Sequence, residues 1–224
     1  MKSTMTSSMK EILKTAEGDW FKGKLTRHDH FEALARIDDV LNRVPKEFAV
    51  QDRRRFMTSC FGHFMSMHRK LKFSGGVIHQ LLLWVLDHDE PTDEMLFLLG
   101  IHVVRFSKVE FSLITGLRFG FVPDTSMYIV VENGIHERYF PAHDEVSLDD
   151  LRVVLTQREF EKAYDAVKLC LICMLNWITM GVDERLKIPV WQFWLVEGLN
   201  AFDAFPLGAH VYRHSIFSFK HALP

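Results

Sequence analysis

Apolar residues recur at helical spacing along most of this chain and suggest strands in only a few short stretches. Phe31, Leu34, Ala35, Ile37, Leu41 and Val44 mark a helix from about His30 to Arg43, which Pro45 ends. A second helix is predicted from Lys46 to about Met67, with Phe48, Val50, Phe56, Cys60, Phe64 and Met67 as core positions. Gly62 lies inside it as a bend or a break. Ser74-Gly75-Gly76 resets the chain, Val77 to Leu86 reads as a strongly apolar helix, and Asp87 to Asp93 reads as an acidic loop. Glu94 to Leu99 and Ile101 to Phe106 read as two short strands of a tight hairpin around Gly100, although Gly100 between Leu99 and Ile101 is not a preferred turn pair.

The stretch from Arg105 to Gly120 carries the clearest local instruction. Ser107 and Glu110 have the spacing of a capping box, Val109, Leu113 and Ile114 follow at helical spacing, and Gly116 sits where a left-handed stop costs least. A helix from Lys108 to Thr115 is expected. Residues 117–146 are the least regular part, punctuated by Gly120, Pro123, Gly134 and Pro141, with Met127 to Val131 as a candidate strand. Ser147 and Asp150 start a helix from Leu148 to about Leu155. A long helix is predicted from Glu159 to about Met180, with Phe160, Tyr164, Val167, Leu171, Met174, Leu175 and Ile178 on one side and Gly181 as its stop. Pro189 opens a further helix through Glu197, and a last one runs from about His210 to Leu223 with Val211, His214, Phe217 and Phe219. The predicted fold class is mainly α: a single helical domain over residues 27–224 with one small β-hairpin, preceded by a weakly ordered leader over residues 1–26 in which Met9 to Ala16 forms a short helix.

Composition adds little to that picture. Hydrophobic residues make up 48% and charged residues 25% of the 224-residue chain, which fits a globular protein and excludes a disordered one. The 19 Phe call for a bulky interior. No run is long and apolar enough for a membrane span, and the start of the chain lacks the apolar centre of a signal peptide. Three cysteines are not a disulfide framework, so a reducing intracellular compartment is expected, the nucleus included. The net charge of -2 hides an asymmetry: residues 1–72 hold 15 Lys/Arg against 9 Asp/Glu, whereas the remainder is acidic. Such a basic segment can neutralise phosphates or pair with the acidic remainder of its own fold.

Each candidate for chemistry has a plainer reading beside it. Cys170-Leu171-Ile172-Cys173 has redox or zinc spacing, and Cys60 with His63 could complete a zinc set. Both cysteine positions fall inside predicted helices, where thiols act as small hydrophobes. Cys60 and His63 also place a thiol near an imidazole, without an oxyanion hole or a nucleophile signature. His210 and His214 lie one helical turn apart but lack further ligands, and His28 and His30 flank Asp29 in a loop. Asp149-Asp150 sits at a helix start, where negative charge is favourable without catalysis. Arg53, Arg54 and Arg55 could contact phosphates, or form a solvated face with local ion pairs beside Asp52. No nucleotide-binding, zinc-protease or serine-hydrolase motif occurs. No catalytic, cofactor-binding or metal-ligating set is therefore assigned.

Three segments carry a family resemblance: Phe56-Met57-Thr58-Ser59-Cys60-Phe61-Gly62-His63-Phe64, Gly75 to Leu83, and Val104-Arg105-Phe106-Ser107 through Gly120. In order and spacing they resemble a plant family known as the domain of unknown function nineteen-eighty-five. Leu199 to Phe202, Asp203 and Phe205-Pro206-Leu207-Gly208 are similar to that domain's later element, an acidic residue followed by aromatic-Pro-Trp-Gly, with Leu207 standing where the family usually has Trp. The resemblance spans roughly residues 40–220. It implies a domain that in plants usually lies upstream of a cysteine protease domain specific for ubiquitin-like proteins, in transposon-derived hosts. The His, Asp and Cys set of that protease is not visible in this chain, so no catalytic role carries over to any residue. The expectation is a non-enzymatic protein-interaction or accessory domain, its partner a protein or an adjoining protease domain. The alternative is a nucleic-acid-binding module using the basic N-terminal segment, with Arg53, Arg54 and Arg55 as contacts. No membrane and no cofactor are expected.

Overall fold

The computed structural model describes residues 29–66, 80–86, 94–126, 129, 131–157, 159–183 and 185–221. The leader, Met67, the Ser74-Gly75-Gly76 reset, the acidic loop and most of the candidate strand at Met127 lie outside the described residues. Helix α1 (Asp29–Arg43) and helix α2 (Lys46–Met57) are joined at Val44-Pro45. A 3₁₀ turn (Gly62–Ser66) follows. Strands β1 (Val85–Leu86), β2 (Met95–Leu99) and β3 (His102–Phe106) form one antiparallel sheet in that order. Helices α3 (Lys108–Thr115), α4 (Ile135–Tyr139), α5 (Leu148–Gln157) and α6 (Asp165–Cys173) come next. A π-helical turn (Met174–Thr179) extends α6, and α7 (Val190–Glu197), α8 (Leu199–Ala204) and α9 (Leu207–His221) complete the order. The fold is mainly α with a small β element.

Helix α6 is the centre. Every one of its residues except Lys168 is buried, as expected of a helix that is apolar on all sides. It packs against α1, α2, α5 and α7. The apolar stripe of α1 places Ile37, Val40 and Leu41 in the core at 1–2% exposure. Where α6 passes into the π turn, Asn176 Nδ2 donates to the Ile172 carbonyl at 2.8 Å, and the Asn176 and Gln192 amides bond each other reciprocally. Both amides are buried, so this pairing satisfies groups that would otherwise be costly to desolvate.

Local signals hold where the energetics are local. Ser107 and Glu110 form the capping box, with the Ser107 N–H at 2.7 Å from Glu110 Oε2 and the Val109 N–H at 3.2 Å from Ser107 Oγ. Gly116 stops α3 with φ 65. Ser147 and Asp150 make the equivalent exchange at the start of α5, at 2.8 and 3.2 Å. Gly100 takes φ 67 at the first central position of the hairpin turn, the place of glycine in a II′ turn, which is how an unusual Gly-Ile pair closes the loop.

Five expectations are corrected. The second helix ends at Met57, and the chain turns so tightly that a Cβ on Gly62 would lie 2.0 Å from the Met57 carbonyl oxygen. Val50, expected in the core, is 81% exposed, because Phe48 and Phe56 set the inward face and Asp52 falls between them. Val85 and Leu86 are not helical but pair with Phe97 and Leu96 as a third strand, so the hairpin is part of a three-stranded sheet. The long helix begins at Asp165 rather than Glu159, since Tyr164 turns left-handed with φ 68 immediately before it. The final helix starts three residues early, at Leu207, and its inward face includes Tyr212 at 1% exposure while Phe217 faces out at 60%.

Candidate functional site

The sequence blocks with the strongest pattern converge on one junction between α2, α3, α8 and α9. Ser59 ends α2 by bonding the Phe56 carbonyl at 2.6 Å, which places Phe61 in the core beside Phe202, with ring centroids 6.0 Å apart. Asp203, on α8, reaches back with both carboxylate oxygens. Oδ2 accepts from Arg55 Nη2 at 2.7 Å and Oδ1 accepts from the Cys60 backbone N–H at 3.0 Å. On the other side, Phe111 of α3 meets Phe106, Phe119 and Tyr212 in edge-on contacts, at 5.4 Å from Tyr212. Gly208 at the start of α9 donates its N–H to the Arg118 carbonyl at 2.8 Å.

The Cys60 thiol lies within this packed junction. Burial, followed by the Asp203 carboxylate to which the thiol hydrogen-bonds, pushes the Cys60 thiol up to about 12. A protonated thiol is a poor nucleophile and a poor metal ligand. His63 does not share this environment. Its ring tilts against Phe64 at 4.4 Å, and its far edge lies beside Gly116. Cys170 and Cys173 are buried within α6, and desolvation pushes Cys173 up to about 12 and Cys170 well above its ordinary value. His210 lies edge-on to Trp191 at 5.2 Å, and burial lowers its pKa. Among the described residues, no group of three or more His, Cys, Asp or Glu is placed to hold a metal ion.

The arginine triplet divides. Arg53 pairs with Asp38 at 3.0 Å and with the Asn42 side-chain oxygen at 3.1 Å. Arg55 turns inward to Asp203, and Arg54 is exposed. Helix periodicity sends three consecutive side chains to three different surroundings.

A buried polar cluster that the sequence did not flag lies where α2 and α4 meet α6. Asp165, 1% exposed, accepts from Arg138 Nη2 at 2.6 Å and from the Tyr139 hydroxyl at 3.0 Å. The same Tyr139 oxygen accepts the Glu161 N–H at 2.9 Å. Asp52 is fully buried, with Oδ1 accepting the Tyr164 N–H at 3.0 Å and Oδ2 finding no partner among the described residues. Desolvation raises its pKa, and the nearby Asp165 charge adds to the rise. The bond from Tyr164 fixes the left-handed turn that starts α6. Nearby, Glu197 accepts the Ile135 N–H at the start of α4 and pairs with Lys168.

The outward side of the sheet and of α3 is largely apolar. Strand register places Met95, Phe97 and Phe106 on the inward face, and Leu86, Leu96, Leu98, Val103 and Arg105 on the other. Leu98 and Val103 are 42% and 58% exposed, and Ile101 at the turn is 90% exposed. On α3 only Phe111 turns in, so Val109, Leu113 and Ile114, at 58%, 81% and 73%, all face out. Strand β3 is at the sheet edge and is exposed on nearly every residue. The sequence showed these apolar positions but not that they turn away from the core.

Among the described residues, no helix is long and apolar enough to cross a membrane. A family model described as a domain of unknown function (DUF1985) matches residues 87–218. No curated protein and no solved structure matches the chain.

Proposed function

This chain belongs to the DUF1985 family, and from that premise we propose that it is a non-catalytic protein-interaction or accessory domain. The observation that carries the reading is the outward apolar surface of Leu98, Ile101, Val103, Leu113 and Ile114, bordered by the β3 edge. Large apolar patches on a protein surface mark contact surfaces, and these side chains lie on elements that follow one another in the chain. An edge strand whose one charged side chain is Arg105 offers main-chain groups to a partner strand. The protonated state of the Cys60 thiol supports the absence of thiol chemistry in the same direction. Within this reading the partner is a protein or an adjoining ubiquitin-like-protein-specific protease domain of a plant transposon-derived host, in the nucleus or elsewhere inside the cell.

The test compares the wild-type chain with Val103→Glu and Leu113→Glu variants as baits in plant nuclear extract, with bound proteins identified by mass spectrometry. The reading expects a partner that binds wild type and is lost with both variants. A binding profile identical for all three baits, or no partner above background, overturns it.

A further inference from the structure

Strand β3 has one open edge, and the sheet register says which groups line it. Leu98 donates its N–H to the Trp84 carbonyl at 2.8 Å, so Leu96 and Leu98 turn their main-chain groups toward β1, while Met95, Phe97 and Leu99 turn theirs toward β3. The residues opposite those three, Phe106, Val104 and His102, are therefore the ones bonded to β2. Val103 and Arg105 lie between them and point their N–H and C=O groups away from the sheet. Among the described residues no strand lies beyond β3, and His102 to Arg105 are all exposed.

This edge is its own complement. With a second β3 laid antiparallel about a two-fold axis at Val104, Val103 of each copy falls opposite Arg105 of the other, and each such pair exchanges both of its main-chain bonds. No open group of Val103 or Arg105 is then left over. Arg105 faces a valine across the seam rather than its own kind, and its guanidinium keeps its place 3.5 Å from Glu110. Val104, 43% exposed, meets its own copy at the axis. The same register carries the Ile101 turn of each copy to the start of the other's α3, which brings together Ile101 and Val109, 90% and 58% exposed. Other registers fit worse. An axis at Arg105 sets two guanidiniums face to face, one at Val103 needs the turn residue Ile101 in the ladder, and a shift by a single residue puts the outward face of one sheet against the inward face of the other. Residues 101–109 of each copy, against the roughly 20–30 a side of a standard interface, make this a weak, concentration-dependent pairing.

We propose that β3 pairs antiparallel with β3 of a second copy of this chain, centred on Val104, so that the two sheets become one continuous sheet. The pairing rests on the reading of β3 as an open contact edge, and it leaves the outward face of Leu98 and Leu113 to a different partner.

Sedimentation velocity and cysteine cross-linking of the full chain test the proposal. Wild type should show a monomer–dimer equilibrium with a dissociation constant of roughly 10–100 µM, as suits a small interface. Val104→Asp sets two carboxylates against each other at the axis and should raise that constant roughly a hundredfold or more. Val103→Glu sets a carboxylate opposite Arg105 of the other copy and should dimerise at least as well as wild type, whereas the interaction reading above expects the same variant to lose its plant partner, so the two readings fail separately. In glutathione disulfide, Val104→Cys should form a covalent dimer, because Cα atoms about 4.5 Å apart in a non-bonded antiparallel pair suit a disulfide. The two thiols give up two protons and two electrons to the oxidant, which leaves as two glutathione molecules. Val103→Cys should cross-link far less, since its two copies stand about 7–8 Å apart. Wild type that stays monomeric up to roughly 1 mM, a dimer that survives Val104→Asp or is lost with Val103→Glu, or cross-linking of Val103→Cys equal to that of Val104→Cys overturns the proposal. Where Val104→Asp fails to fold, the wild-type equilibrium and the two cysteine variants decide it.

Discussion

The Gly208 N–H donates to the Arg118 carbonyl at 2.8 Å, and a Cβ on Gly208 would stand 2.7 Å from that same oxygen and 2.8 Å from the Phe119 ring. Two segments far apart in the sequence therefore meet backbone to backbone, and glycine is what permits the approach. Gly208→Ala must push the start of α9 away from the segment after α3. A loss of about 1–3 kcal/mol is expected, as for other overpacking changes, and urea denaturation measures it. A variant as stable as wild type would show that the junction can open without cost.

Asp203 joins α8 to α2 and to the turn after it through Arg55 and the Cys60 N–H. Asp203→Ala removes both acceptors and leaves Arg55 partly buried and unpaired. About 1–3 kcal/mol of stability should go, seen as a fall in thermal midpoint of several degrees for a chain this size. Cys60→Ala keeps the backbone N–H and should cost less than Asp203→Ala. The reverse order would place the stabilising contact in the thiol.

Asp52 gives a pH dependence with a definite sign. Burial, aided by Asp165, raises its folded pKa above the unfolded value, against the Tyr164 N–H that lowers it. Its protonated form is favoured in the folded state, so its contribution is greatest below the unfolded pKa and is lost as pH rises through the folded one. Asp52→Asn cannot ionise. Its stability relative to wild type should therefore improve steadily from acidic pH to neutral. Denaturation at a series of pH values checks this, and a relative stability that falls with pH would mean that the charged carboxylate is the stabilised form.

All three thiols should resist alkylation in the native protein. Cys60 and Cys173 are pushed up to about 12 and Cys170 is raised well above its ordinary value, each chiefly by burial. Iodoacetamide near neutral pH should label none of them rapidly, and all three once urea unfolds the chain, as intact mass records. Fast labelling of native Cys60 would reopen a role for its thiol.

Val103 and Leu113 face solvent, so polar replacements there should leave the fold nearly untouched. Val103→Thr and Leu113→Gln are each expected to change stability by no more than about 0.5 kcal/mol, read from thermal melts. A loss several times larger would mean that these side chains are covered.

Whatever depends on residues a few positions apart can be read along the chain. The capping box of Ser107 and Glu110, the left-handed stop at Gly116, the hairpin across Gly100 and the burial of Cys170 and Cys173 were all legible. Their energies come from hydrogen bonds within one helical turn, from a backbone angle that glycine adopts freely, or from a run too apolar to face water. The direction in which an apolar stripe points is set by packing between distant segments. Val109, Leu113 and Ile114 have helical spacing, yet Phe111 is the residue that finds Tyr212 and turns the other three outward. Tyr164 ends its loop in a left-handed turn because Asp52, distant in the chain, accepts its N–H. Periodicity fixes that a helix has a face, whereas the partner that the face meets is set by contacts between residues far apart in the chain.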